Sequence, residues 1–122
     1  LIKLAKNIPD LSLENVHYEK TTKGKIEWEI NAKLAHHFQG KDKLTLDVVK
    51  MVYYDKKSRT IVITGSQGRI KPSTKDVALL GKVLIKSSDG YTLKTNCLKY
   101  NAKTSLITTD DHVSISGKKF QV

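Results

Sequence analysis

The sequence is short of the residues that most sharply narrow a function. It has one cysteine, Cys97, in 122 positions. A lone thiol excludes an internal disulfide framework and cannot build a zinc site unaided. It leaves the compartment open, since reducing and oxidising spaces both tolerate one buried thiol. No stretch approaches the ~18 consecutive apolar residues that a membrane-spanning helix requires. A P-loop, a G-x-S-x-G elbow and the paired glycines of a dinucleotide site are all missing. Acidic residues are scarce as well: 12 Asp plus Glu stand against 22 Lys plus Arg, a formal net charge of +10. Such a surface favours an anionic partner, whether nucleic acid, a membrane face or a phosphorylated lipid or glycan.

What remains is strand grammar. With only two prolines and an abundance of Val, Ile, Thr and Tyr, helical spacing fails and period-two alternation succeeds. Ile26, Trp28, Ile30, Ala32 and Leu34 alternate with Glu27, Glu29, Asn31 and Lys33, predicting one long strand with a dry and a wet face. Leu44, Leu46 and Val48 alternate next, then the phase slips to Val49, Met51 and Tyr53, predicting a β-bulge near Val48–Val49. Further strands are predicted over 60–64, 68–71, 76–80, 82–87, 91–100, 105–108 and 112–116. Turn signals recur about every ten residues, as in an antiparallel meander closing toward a sandwich, barrel or jelly roll. Residues 1–7 read as a helical turn or a tail, and no linker or second domain is visible.

The hairpin around Ser88-Asp89-Gly90 fixes a register. A two-residue Asp89-Gly90 turn would set Ile85 opposite Lys94 and mix the faces. A three-residue loop pairs Ile85 with Leu93, Val83 with Thr95 and Gly81 with Cys97, and places Gly90 in the left-handed position of a G1 bulge. On that register Lys82, Lys86 and Lys94 point outward and Cys97 inward.

Candidate chemistry is thin. His36 and His37 are strand neighbours and point to opposite faces, so one metal ion cannot take both without a bulge. His17 and His112 are far off in sequence and have no carboxylate or cysteine at ligand spacing. Asp110-Asp111 sits where turns favour aspartate, and Glu27 and Glu29 read as the solvated side of their strand. Cys97 reads as a small buried thiol and not as a nucleophile. No catalytic residue, metal or cofactor is expected. Lys41, Lys43, Lys50, Lys56, Lys57 and Arg59 crowd one hairpin, but a nucleic-acid surface would interleave them with aromatics for stacking. A small basic barrel binding single-stranded nucleic acid is therefore the alternative reading.

The ordered motifs carry a resemblance. Gly81-Lys82-Val83-x-Ile85, Ser88-Asp89-Gly90 and Leu93-x-Thr95-x-x-Leu98-x-Tyr100, followed by Ile107-Thr108-Thr109 and Val113-x-Ile115-x-Gly117, look like the signature of OstA-like and LptC-like proteins. Upstream, Val16-x-Tyr18, the turn at Gly24 and Ile26-x-Trp28-x-Ile30-x-Ala32 are similar to the opening hairpin of LptC. The resemblance runs from about Pro9 to Gly117. It implies an all-β, open, twisted antiparallel β-jelly roll that serves lipopolysaccharide export without an enzymatic reaction. It further implies a periplasmic domain (9–122) behind a tether (1–8) left by an inner-membrane anchor ahead of Leu1. The implied partners are lipopolysaccharide, an inner-membrane ABC transporter and an LptA-like bridge protein; an LptA-like bridge is itself the sister alternative. Trp28, Ile30, Leu44, Leu46, Ile63, Val83, Ile85 and Leu93 are the expected lipid-facing set. They could also simply pack together. Val113, Ile115 and Gly117 mark the expected edge for strand addition by the bridge.

Overall fold

A computed structural model describes residues 11–38, 40–57 and 59–117; the expected tether and helical turn at 1–8 lie outside them. Eight strands follow in order: β1 (Leu11–Thr22), β2 (Lys25–His37), β3 (Leu44–Tyr54), β4 (Thr60–Lys71), β5 (Asp76–Ser87), β6 (Thr92–Asn101), β7 (Leu106–Thr108) and β8 (Ser114–Ser116). They form one antiparallel sheet in the order β1-β2-β3-β4-β5-β6-β7, with β8 also pairing β6. β7 takes the Lys99–Asn101 end of β6 and β8 takes the Thr92–Lys94 end. The sheet does not close. It is an open, twisted β-jelly roll.

β1 to β6 are long because each serves two layers. Along β3 the buried positions are Leu44 and Leu46, then Val49 and Met51, so the phase slip seen in the sequence is real. Its cause differs from the expected bulge. Ala32 pairs with Val49 and Leu34 with Asp47, with no change of register across Val48. Instead Val48 adopts a left-handed φ of 54°, which turns the rest of the strand over without an extra residue. The extra residue is in β5, where the ladders to both neighbours shift around Gly81-Lys82 and φ is 78° and 49°. Asn15, opposite Lys33 on β2, is left-handed as well at 52°. A crease thus crosses the sheet through Asn15, Lys33, Val48, Ser66, Gly81-Lys82 and Asn96, and the buried face changes phase on either side of it.

Several expectations change at this crease. The predicted strands 60–64 and 68–71 are one strand, and 76–80 and 82–87 are another, which runs on through the bulge at Gly81-Lys82. The Ser88-Asp89-Gly90 loop pairs Ile85 with Leu93 and Val83 with Thr95 as expected, with Gly90 at φ 100°. Beyond the bulge, however, Cys97 pairs with Leu80 rather than Gly81. The inward residues of β6 then become Leu98 and Tyr100, and Cys97 lies half-buried on the other face. Leu34, expected inward, is exposed because it lies past the crease, and Ala35 is buried in its place.

A β-branched residue at positive φ is strained by about 1–3 kcal/mol. Val48 is 55% exposed, so its side chain gains little packing to offset this. Val48→Asn, which tolerates the left-handed region, is expected to stabilise the fold by about 1 kcal/mol. Urea unfolding would read this as a raised midpoint at unchanged slope, while Val48→Ile should give no gain.

The two creased halves pack on each other. Trp28, in the first half of β2, meets Tyr100, in the second half of β6, edge to face at 6.0 Å between ring centroids. Tyr53 lies 6.2 Å from the same ring. These strands are far apart in sheet order, so the contact is made across the fold. The core between the halves holds Trp28, Ile30, Ala32, Ala35, Leu44, Leu46, Val49, Met51, Ile63, Ile70, Val77, Leu79, Val83, Leu98 and Tyr100. Each large apolar side chain so buried contributes about 1.5–3 kcal/mol.

Candidate functional site: an inner face latched on one side

The register builds one unbroken apolar row across the first layer. Tyr18 pairs with Ile30, Ile30 with Met51, Met51 with Ile63, Ile63 with Ile85, Ile85 with Leu93 and Leu93 with Ile115. Its middle is dry, since Ile30, Met51 and Ile63 are at most 1% exposed. Toward β8 it opens: Ile85 and Leu93 are half-buried and Ile115 is 39% exposed. The second layer has a matching row in which Leu13 pairs with Ala35, Ala35 with Leu46, Leu46 with Gly68, Gly68 with Leu79 and Leu79 with Leu98. It opens at the β1 edge, where Leu13 is 49% exposed and Leu11, two residues before it, 52%.

Of the expected lipid-facing residues, Trp28, Ile30, Leu44, Leu46, Ile63 and Val83 are therefore gathered in one packed core. Ile85 and Leu93 stand at its open margin. Of the expected docking edge, Ile115 lies at the centre of β8, with Val113 just before the strand and Gly117 just after it. Gly117 is in close contact with the Tyr91 ring, which a Cβ there would meet at 2.7 Å. No strand among the described residues pairs with the far side of β8 or of β1.

One cluster escaped the sequence reading. The β1–β2 ladder shifts between Lys20 and Thr21, so that Lys20 pairs with Trp28 and Thr21 with Ile26. Glu27 is the extra residue of this bulge. A bulge re-aims its side chain: Glu27, expected on the solvated face, turns inward, and Ile26 turns out. The Glu27 carboxylate receives hydrogen bonds from the Tyr100 hydroxyl at 2.7 Å and the Ser105 hydroxyl at 2.9 Å. It is ion-paired with Lys20 at 2.8 Å, the two side chains being 19% and 17% exposed for Lys20 and Glu27. Lys20 also donates to the Ala102 carbonyl at 3.1 Å and lies over the Tyr100 ring. Burial pushes the Glu27 pKa up, but the hydrogen bonds from Lys20, Tyr100 and Ser105 together hold it below the ordinary carboxylate value. For Lys20 burial acts downward, and the bonds to Glu27 and Tyr100 outweigh it, raising the pKa. This latch ties the β1–β2 hairpin to the β6–β7 turn.

The histidines are spread out. His17 bonds Asn31 at 3.0 Å and Glu19 at 3.3 Å, the bond to Asn31 being the chief reason its pKa is raised. His36 bonds Ser12 at 2.9 Å and faces Asp47 at 3.4 Å. Among the described residues no group of three His, Cys, Asp or Glu side chains converges on a metal position. Trp28, Tyr53 and Tyr100 pack among themselves in the interior. No helix of the described residues is long and apolar enough to cross a membrane.

No curated protein matches the chain. The family model of lipopolysaccharide-assembly, LptC-related proteins matches residues 3–122. An open antiparallel jelly roll with an apolar inner face is the fold that the sequence resemblance implied. The chain belongs to the LptC-related family, whose members are periplasmic components of lipopolysaccharide transport.

Proposed function

We infer that this domain carries lipopolysaccharide from an inner-membrane ABC transporter to an LptA-like bridge protein, holding the acyl chains against its inner face. The observation that carries the reading is the unbroken row from Ile30 to Ile115, dry in the middle and open toward β8. Here Leu93 and Ile115 continue it to the margin, where each buried methylene of an acyl chain contributes about 0.8 kcal/mol. Trp28, Ile30, Leu44, Leu46, Ile63 and Val83 form the floor behind that margin, reached by lipid only as the two layers part. The latch at Glu27 holds the layers together on its own side, so parting occurs at the margin bearing Ile85, Leu93 and Ile115.

The bridge protein adds its strand to β8. The Ser114-Ile115-Ser116 segment has neither proline nor lysine, the residues that commonly protect an edge from such pairing.

A photo-crosslinking residue at Ile85, Leu93 or Ile115 is expected to capture lipopolysaccharide during transport, and one at the exposed Lys50 of β3 is not. Crosslinked product would be scored by immunoblot against the lipid. Equal capture at Lys50 removes the basis for an inner-face path.

A further inference from the structure

We propose that the groove between β5, β6 and the chain leading into β8 is a binding site for a phosphoryl group. It is an open cleft of about 470 Å³ lined by Lys82, Lys94, Asn96, His112 and Ser114, with Val83, Leu84 and Thr95 also at its wall. No carboxylate lines it. Lys20 is engaged with Glu27, Arg59 with Asp55 and Asp89, and Lys99 with Asp110. Lys82 and Lys94 make no salt bridge among the described residues, and their register sets them on neighbouring strands.

The backbone supplies a second observation. Lys82 is held at φ 49° within the β5 bulge, a conformation that disfavours any residue with a Cβ. Strain of this kind collects at binding sites, where it fixes the direction of a side chain. The bulge lifts Lys82 out of the ladder opposite Asn96. Two ammonium groups and an imidazole, with an amide and a hydroxyl beside them, offer more donors than one carboxylate can accept. A phosphate, with three acceptor oxygens and up to two charges, matches that set.

The groove lies along the strands whose inner side bears Ile85 and Leu93. If the lipid path proposed above holds, on which this identification of the ligand rests, chains at that margin leave the phosphorylated sugars of the headgroup beside Lys82 and Lys94.

The test uses the whole chain and a double variant, Lys82→Asn with Lys94→Gln. Both changes are at exposed positions, and asparagine tolerates the left-handed φ; unchanged circular dichroism would confirm the fold. The probes are a bisphosphorylated lipid A, its dephosphorylated counterpart and inorganic pyrophosphate. The expected result is a loss of affinity for the bisphosphorylated lipid of about tenfold or more. Binding of the dephosphorylated lipid should be unchanged, as should its crosslinking at Leu93. Equal affinity of variant and wild type for the bisphosphorylated lipid, with crosslinking at Leu93 intact, overturns the groove and leaves the inner-face path standing. If no lipid crosslinks at Leu93 but pyrophosphate shifts the amide resonances of Lys82 and Asn96 in the wild type alone, the groove stands as a site for a free phosphate. No shift and no lipid discrimination overturns it outright.

Discussion

Trp28→Ala is expected to cost about 3–5 kcal/mol, the range for emptying the place of a large aromatic in a packed interior. The indole is 1% exposed and meets the Tyr100 ring edge to face from the opposite layer. Its loss removes both the buried area and the edge-to-face contact that joins the creased halves. Trp28→Phe separates two contributions. The indole Nε1 is buried with no hydrogen-bond acceptor among the described residues, a loss of about 1–3 kcal/mol relative to a satisfied donor. Phenylalanine removes that unpaired donor while keeping most of the area, so Trp28→Phe should fall well short of the alanine variant. Equilibrium unfolding in urea, followed by circular dichroism, distinguishes them. Equal destabilisation by Phe and Ala would mean that indole shape, not apolar area, holds the halves together.

Breaking the latch should have the next largest effect. Glu27→Ala leaves Lys20 and the Tyr100 hydroxyl largely buried without their acceptor, and about 2–3 kcal/mol of stability should be lost. The pH dependence gives a second readout. The folded-state pKa of Glu27 lies below its ordinary value of 4.5, so the unfolded chain binds the proton more readily. The stabilisation is then fully present above pH 4.5 and disappears as pH falls through the lower folded-state value. Lys20 works in the opposite sense: its raised pKa gives stability present below 10.5 and lost as pH rises through the folded value. Glu27→Gln keeps an acceptor for Ser105 and Tyr100 but abolishes the charge. It should flatten the acid side of the stability profile while costing less than Glu27→Ala at neutral pH. A Gln variant with the wild-type acid limb would show that other carboxylates govern acid unfolding.

The sequence displays the fold where a signal is local and hides it where two distant strands must cooperate. The dry face of β2 as far as Ala32 follows from alternation alone, because Trp28, Ile30 and Ala32 are each flanked by polar neighbours. The β5–β6 register follows from counting residues in the Ser88-Asp89-Gly90 loop. β1 is different: among its twelve residues only Val16 and Lys20 are even half-buried, so an edge strand of this kind carries almost no alternation, and only the resemblance revealed it. Val48 shows a phase slip without revealing its mechanism, since a left-handed residue and an inserted one produce the same pattern. Counting from the same loop puts Cys97 on the wrong face, because the extra residue of the β5 bulge makes the count off by one. Glu27 could not have been found by spacing. Its role depends on Lys20, Tyr100 and Ser105, which meet it only once the sheet has folded over.

The crease also bears on how the chain reaches this state. Every ladder from β1 to β7 joins strands adjacent in sequence, so pairing can zip up through short loops with little closure entropy. Yet β2 through β6 each run through both layers, and neither layer contains a complete strand set that could persist without the other. Assembly is stepwise in geometry but all-or-none in free energy: half a molecule is not half as stable.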